Sequence, residues 1–173
     1  MIKKITLIFT ILTSMLFSQE KISIDELLKS NFDNLDIKIE KKSLILTKED
    51  VKNIQTLANT KVGSKIVRYY KVTKNEEILG NAILLKQRIR TKNAAILYIV
   101  DANKSMLSTE IVSFKEPSEY KPNKEWTEVL NGKTSEDTLM AGKDIPTISG
   151  ATLSARAISD AARLALAIVE QKL

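Results

Sequence analysis

The sequence contains no cysteine and no histidine. Without cysteine there is no disulfide, no Cys-ligated zinc or iron–sulfur cluster and no thiol nucleophile. Without histidine there is no Ser-His-Asp triad, no imidazole acid–base catalysis and no His-ligated haem, and most transition-metal sites lose their usual ligand. Any redox chemistry must therefore come from an organic cofactor held by other groups. The chain also has no internal repeat and no low-complexity tract. No basic cluster is interleaved with aromatics, the pattern of a nucleic-acid groove, so nucleic acid is not an expected partner.

What is present is a globular composition. The 173 residues are 43% hydrophobic and 28% charged, which excludes a disordered chain and suits one domain with a short extra segment. Met1–Ser18 carries Lys3 and Lys4 followed by an apolar run from Ile5 to Phe17. That run is too short for a span of about 20 residues but has the size and flanks of a secretory signal. The expected organisation is a signal over 1–18, an N-terminal helix and extension over 19–46, and the main domain over 47–173. The expected location is exported, periplasmic or extracytoplasmic, with membrane anchoring if the signal is uncleaved. Removing 1–18 takes two lysines and no acid from the net charge of +6, leaving +4. Acidic redox proteins or an anionic membrane surface suit that balance.

The pattern along the chain predicts an α+β fold, an antiparallel β-meander packed by helices. Ser23 and Glu26 form a capping box for a short helix from Ile24. Asp36 to Leu46 reads as a poor strand because of its charged middle, Glu40 to Lys42. Thr47 caps a second helix whose apolar positions are Val51, Ile54, Leu57 and Ala58. Strands are expected over Ile66–Val72, Ile78–Ile89, Ala94–Val100 and Met106–Phe114. Their connections are too short for parallel crossovers, and the near-continuous apolar run at Ala94–Val100 fits a central strand covered on both faces. A short helix carries Trp126. From Leu153 to Val169, apolar residues at 153, 157, 161, 164 and 168 predict a C-terminal helix of roughly 20 residues packed on the sheet.

The residues that carry chemistry sit where that last helix begins. Ile148-Ser149-Gly150-Ala151-Thr152-Leu153-Ser154 places small residues and three hydroxyls at a helix N-terminus. Free backbone N–H groups and the helix dipole favour an anion there, a phosphate in particular. The plain alternative is that Ser149 or Thr152 is an ordinary N-cap. Asp50, Glu110 and Glu119 have no spacing that makes an acid pair, and they read as solvated charges.

Ser149-Gly150-Ala151-Thr152 resembles the flavinylation motif of the FMN-binding domain family. The likeness runs on through Ala157 and back through Glu116-Pro117-Ser118-Glu119-Tyr120, Trp126 and Gly132-Lys133. It resembles small exported members of that family, from roughly Thr47 to the C-terminus. It implies that a flavin transferase esterifies the FMN phosphate to Thr152. It also implies a cofactor site of Ser149, Gly150, Ala151, Leu153, Ser154 and Glu116 around that threonine, with Tyr120 and Trp126 as further contacts near the flavin ring. One position departs from the pattern: where the family usually has Asp, three residues before the Ser of the motif, this chain has Pro146, and the nearest acid is Asp144.

The resemblance thus implies an extracytoplasmic electron carrier with covalent FMN, serving membrane or periplasmic redox proteins, rather than an enzyme with its own substrate. No metal and no catalytic residue are expected in this chain. The alternatives are an exported binding or assembly module of the same fold that lacks the covalent flavin, and an unrelated adaptor in which Ser-Gly-Ala-Thr is only a helix start.

Overall fold

The computed structural model describes residues 23–32 and 36–173, so the expected signal over Met1–Ser18 lies outside the described residues. A capping box at Ser23 and Glu26 opens helix α1, Ile24–Asn31. Strand β1, Lys38–Ile45, follows, and then helix α2, Lys48–Ala58, with a second capping box from Thr47 and Asp50. Four more strands come in sequence: β2 Ile66–Lys74, β3 Glu77–Arg88, β4 Asn93–Asp101 and β5 Met106–Phe114. Helix α3, Lys124–Glu128, and helix α4, Thr152–Lys172, close the chain. The five strands pair antiparallel in chain order, the expected meander.

The segment expected to be a poor strand is the edge strand of the sheet. β1 pairs with β2 along its whole length, from Lys38 opposite Thr73 to Ile45 opposite Ile66. An edge strand needs only one partner, and charges along it discourage unwanted pairing. Here Lys38 and Lys42 bracket Glu40 at 2.6 and 2.9 Å, so its negative charge is neutralised within the strand and the edge is left net positive. The sheet therefore begins at residue 38, before the expected boundary at 47.

Helices cover both faces of the sheet. On one face, α2 and α4 enclose the larger core, which includes Ile54, Ile83, Ile96, Tyr98, Val100, Ile158 and Leu166. On the other, α1 packs Leu28 against Tyr70, Val72, Ala82, Leu97 and Ile99. Successive residues of β4 serve the two cores in alternation, which is why its sequence is apolar throughout. Burial pushes the Tyr98 hydroxyl well above its ordinary pKa. It stays protonated and donates to the carbonyl of Ile158 at 2.9 Å, pinning α4 to the central strand.

Gly80 is required by close approach. A Cβ there would meet the carbonyl oxygen of Val100, Phe32 Cζ at 2.9 Å and Asp101 Cα at 3.1 Å. Gly80→Ala is expected to lose about 1–3 kcal/mol through overpacking, read by thermal or denaturant unfolding. Gly63→Ala is the control, because nothing lies within 4 Å of its added Cβ, and it should melt like the parent.

Candidate functional site

The motif forms a tight turn and then a helix. The Ala151 N–H donates to the carbonyl of Ile148 at 2.9 Å, closing a turn whose third residue, Gly150, has φ +74°. That value suits glycine in a type II turn. An added Cβ at Gly150 would meet nothing within 4 Å, so the glycine serves the backbone conformation rather than close packing.

Ala151, not Ser149 or Thr152, is the N-cap of α4, and no side chain caps the helix. The ordinary-cap alternative is thereby corrected: Thr152 is already the first helical residue, and Ser149 is exposed on the turn before it. The Ala151 carbonyl accepts from Ser154 at 3.0 Å and from Ala155 at 3.2 Å. Among the described residues, no acceptor takes the N–H groups of Thr152 and Leu153. Thr152 is half-buried and Leu153 is 48% exposed, so the apolar stripe of α4 starts beyond Leu153, contrary to its expected start there. Ser154 is fully buried, and its Oγ has no hydrogen-bond partner among the described residues. A buried hydroxyl without a partner carries a desolvation cost of about 1–3 kcal/mol unless something satisfies it. Thr109 Oγ1 and Ser159 Oγ are buried and unpartnered in the same way, so the groups the helix start offers outward are the free N–H donors and the half-buried Thr152 hydroxyl. That set matches the chemistry of a phosphate group.

The loop leading into the motif is anchored at several points. Leu139 is fully buried in a left-handed conformation, φ +46°, which a branched side chain rarely adopts. Both of its peptide groups are held: its N–H donates to Asp144 Oδ2 at 2.8 Å, and its carbonyl accepts from Arg163 Nη1 at 2.5 Å. Asp144 Oδ1 also accepts from the Met140 N–H at 2.7 Å. Arg163, on α4, donates in addition to the Ala58 carbonyl at 2.7 Å and to Asp160 at 2.7 Å. Ile145 is buried in the main core, and the next carbonyl, that of Pro146, accepts from Trp126 Nε1 at 2.8 Å. Arg163 and Leu139 are functional supports that the sequence reading did not single out. Arg163 had a signal, a lone cation between Ala162 and Leu164 on the apolar face of a helix.

The remaining sequence candidates have partners of their own. Glu116 is 8% exposed, and its Oε1 accepts from the backbone of Arg90, Thr91 and Lys92 at 3.1, 2.6 and 2.7 Å. Its carboxylate closes the β3–β4 connection. Tyr120 lies in a 3-10 turn, Ser118–Tyr120, with the Arg90 guanidinium 4.2 Å above its ring. Trp126 is buried and tied to Pro146. Asp144, the nearest acid to the motif, is committed to Leu139 and Met140. No cluster of metal-ligating side chains occurs among the described residues.

Two of these carboxylates set a pH dependence. The Lys92 amide, opposed by burial and assisted by Thr91 and Arg90, holds Glu116 below its ordinary pKa. Burial raises Asp144, but the amides of Met140 and Leu139 outweigh it, so its pKa is also lowered. A depressed folded-state pKa means stability that is present above the unfolded value, about 4, and lost as pH falls through the folded one. The amide resonances of Thr91 and Lys92 are expected to follow Glu116, and those of Leu139 and Met140 to follow Asp144, each with a midpoint below that carboxylate's ordinary value. Midpoints at or above the ordinary carboxylate value would remove this account.

The family model described as FMN-binding domain matches residues 52–167. The matched span runs from within α2 to within α4 and includes the anchored loop and the motif. No curated protein and no solved structure matches the chain.

Proposed function

The chain belongs to the FMN-binding domain family and is an FMN-binding protein, and we propose that it carries FMN covalently on Thr152, as an extracytoplasmic electron carrier. The observation that supports this reading most is the uncapped start of α4, where the half-buried Thr152 side chain stands beside backbone N–H groups that have no acceptor among the described residues.

Each residue has a definable part. Thr152 Oγ is the acceptor that becomes the bridging ester oxygen, and its proton passes to a base of the flavin transferase. The chain has no histidine, and its described residues include no cluster of metal-ligating side chains, with which to promote that step alone. The donor must be an activated phosphate anhydride of FMN, because ester formation from a simple monophosphate would have to expel water. The free N–H groups of Thr152 and Leu153 would hold the phosphate oxygens, and Gly150 permits the turn that presents them. A helix dipole contributes only about 0.3–1 kcal/mol at an exposed site, enough to orient a phosphate but not to retain it in dilute surroundings. The covalent bond supplies retention. Leu153, 48% exposed and adjacent to Thr152 in sequence, would offer apolar surface to the ring system. Once bound, the flavin supplies the electron transfer.

Export of the chain, through the apolar segment before Ser18, and delivery of electrons to membrane or periplasmic redox proteins complete the reading. The test is intact mass under denaturing conditions after co-expression with a flavin transferase in an exporting host. The expected product is heavier by one FMN ester and yellow. An unmodified mass beside a modified control substrate would overturn the covalent reading. One observation favours the binding-module alternative: Pro146 replaces the usual acid, and Asp144 is tied to backbone amides rather than free to be read by a transferase.

A further inference from the structure

The sheet face under α1 is only half covered. α1 and its neighbours seal the rows through Tyr70, Val72, Ala82 and Ile99. Strand register carries the same face onward to rows with no helix over them. Ile45 lies opposite Ile66, Arg68 opposite Leu84, Lys86 opposite Ala95 and Arg88 opposite Asn93. Alternation along β2 and β3 puts Ile66, Arg68, Lys86 and Arg88 on the side of Tyr70 and Ala82.

This uncovered area has an unusual chemistry. Ile45 and Ile66, directly paired, are 74% and 61% exposed, the most exposed of the large hydrophobics among the described residues. Arg68, Lys86 and Arg88 are all exposed, and none is ion-paired among the described residues. The acids nearby are Glu110, half-buried opposite Leu97 and hydrogen-bonded by Ser108 at 2.6 Å, and Asp25 of α1, whose charge is felt at Tyr70, as is that of Arg68. Residues 51–75 contain six cations and no acid, and residues 78–100 contain four cations and no acid.

We propose that this face docks on an anionic lipid bilayer. Ile45 and Ile66 enter the headgroup region while Arg68, Lys86 and Arg88 meet lipid phosphates around them. Apolar insertion combined with cations is how a folded surface binds a charged membrane, with each cation near the surface adding to the attraction. The area suits a bilayer better than a protein partner. Its apolar content is two isoleucines without an aromatic anchor, and protein hot spots are built on such anchors. The inference does not depend on the flavin.

The test is sedimentation of the full chain with vesicles of phosphatidylcholine alone and of equal parts phosphatidylcholine and phosphatidylglycerol. The parent is expected to prefer the anionic vesicles, and the preference should fall as salt rises. The triple variant Arg68→Glu/Lys86→Glu/Arg88→Glu should lower that preference at least about tenfold. Ile45→Ser/Ile66→Ser should weaken binding while keeping the preference. Lys48→Glu/Lys52→Glu/Lys121→Glu makes the same charge change away from this face and should lower the preference far less. Lys3, Lys4 and the apolar run are common to all variants, so their contribution cancels in the comparison. These side chains are exposed, and far-UV circular dichroism checks that each variant is folded. Equal losses from the two charge variants would show a bulk-charge effect and overturn the proposal. So would a parent without anionic preference, which would return the face to an acidic protein partner.

Discussion

Thr152→Val should yield a colourless protein of unmodified mass from cells in which the parent acquires one FMN ester. Valine has nearly the size and branching of threonine, so the substitution removes the oxygen and little else. Thr152 is half-buried at the first position of α4, and its side chain caps nothing. The variant is therefore expected to fold with a stability change below about 1 kcal/mol, since it breaks no packed contact of consequence. Thr152→Ser should keep some ester, because it keeps the hydroxyl at the same helical position. Those two results together separate loss of the acceptor from damage to the site. A Thr152→Val protein that still carries one covalent flavin would place the ester on another hydroxyl, with exposed Ser149 the first to examine.

Arg163→Met should lower the melting temperature by about 10 °C and slow flavin attachment without touching the acceptor. Methionine keeps much of the length and apolar stem of arginine while deleting its donors. Three bonds disappear, to Ala58, Leu139 and Asp160. Two of the acceptors are backbone carbonyls left without a charged donor. A hydrogen bond to a charged group is worth about 1.5–3 kcal/mol, and an unsatisfied buried acceptor costs a similar amount. A combined loss of about 3–4 kcal/mol converts to that shift for a chain of this size. The effect on attachment has a separate origin. The Leu139 carbonyl loses its clamp, and its left-handed backbone then depends on Asp144 alone. Further along the loop, buried Ile145 and the Trp126 bond to the Pro146 carbonyl still hold the chain, so the effect on attachment should be a slowing and not a loss. A variant that melts like the parent would show that Arg163 contributes no more than a surface residue.

Local patterns were legible in the sequence, while contacts between distant segments were not. Both capping serines and threonines stand where a short-range rule places them, at Ser23 and Thr47. The four strands after Ile66 follow from β-branched runs and short connections. α4 follows from apolar spacing, although its first turn points Leu153 outward. β1 was misjudged because its burial depends on having one neighbour, which composition does not encode. The motif was readable as a string, but its lack of a cap was not. A Ser or Thr near a helix start is the expected cap, and here Ala151 occupies the position. Glu116 holding residues 90–92, Trp126 reaching Pro146 and Arg163 reaching Ala58 span separations that no local rule predicts.

The position of α4 after all five strands governs when the acceptor comes into being. Thirteen of its residues are buried, and they form much of one wall of the larger core. Until α4 is in place, the five strands have an apolar face with nothing to cover it, which is the aggregation-prone stage of folding for such topologies. Thr152 gains its helical setting only when α4 seats against Tyr98. A nascent or truncated chain therefore presents a flexible peptide in place of a shaped substrate. A modifying enzyme that reads the folded turn would act only on finished molecules, so the flavin would mark chains that had passed folding.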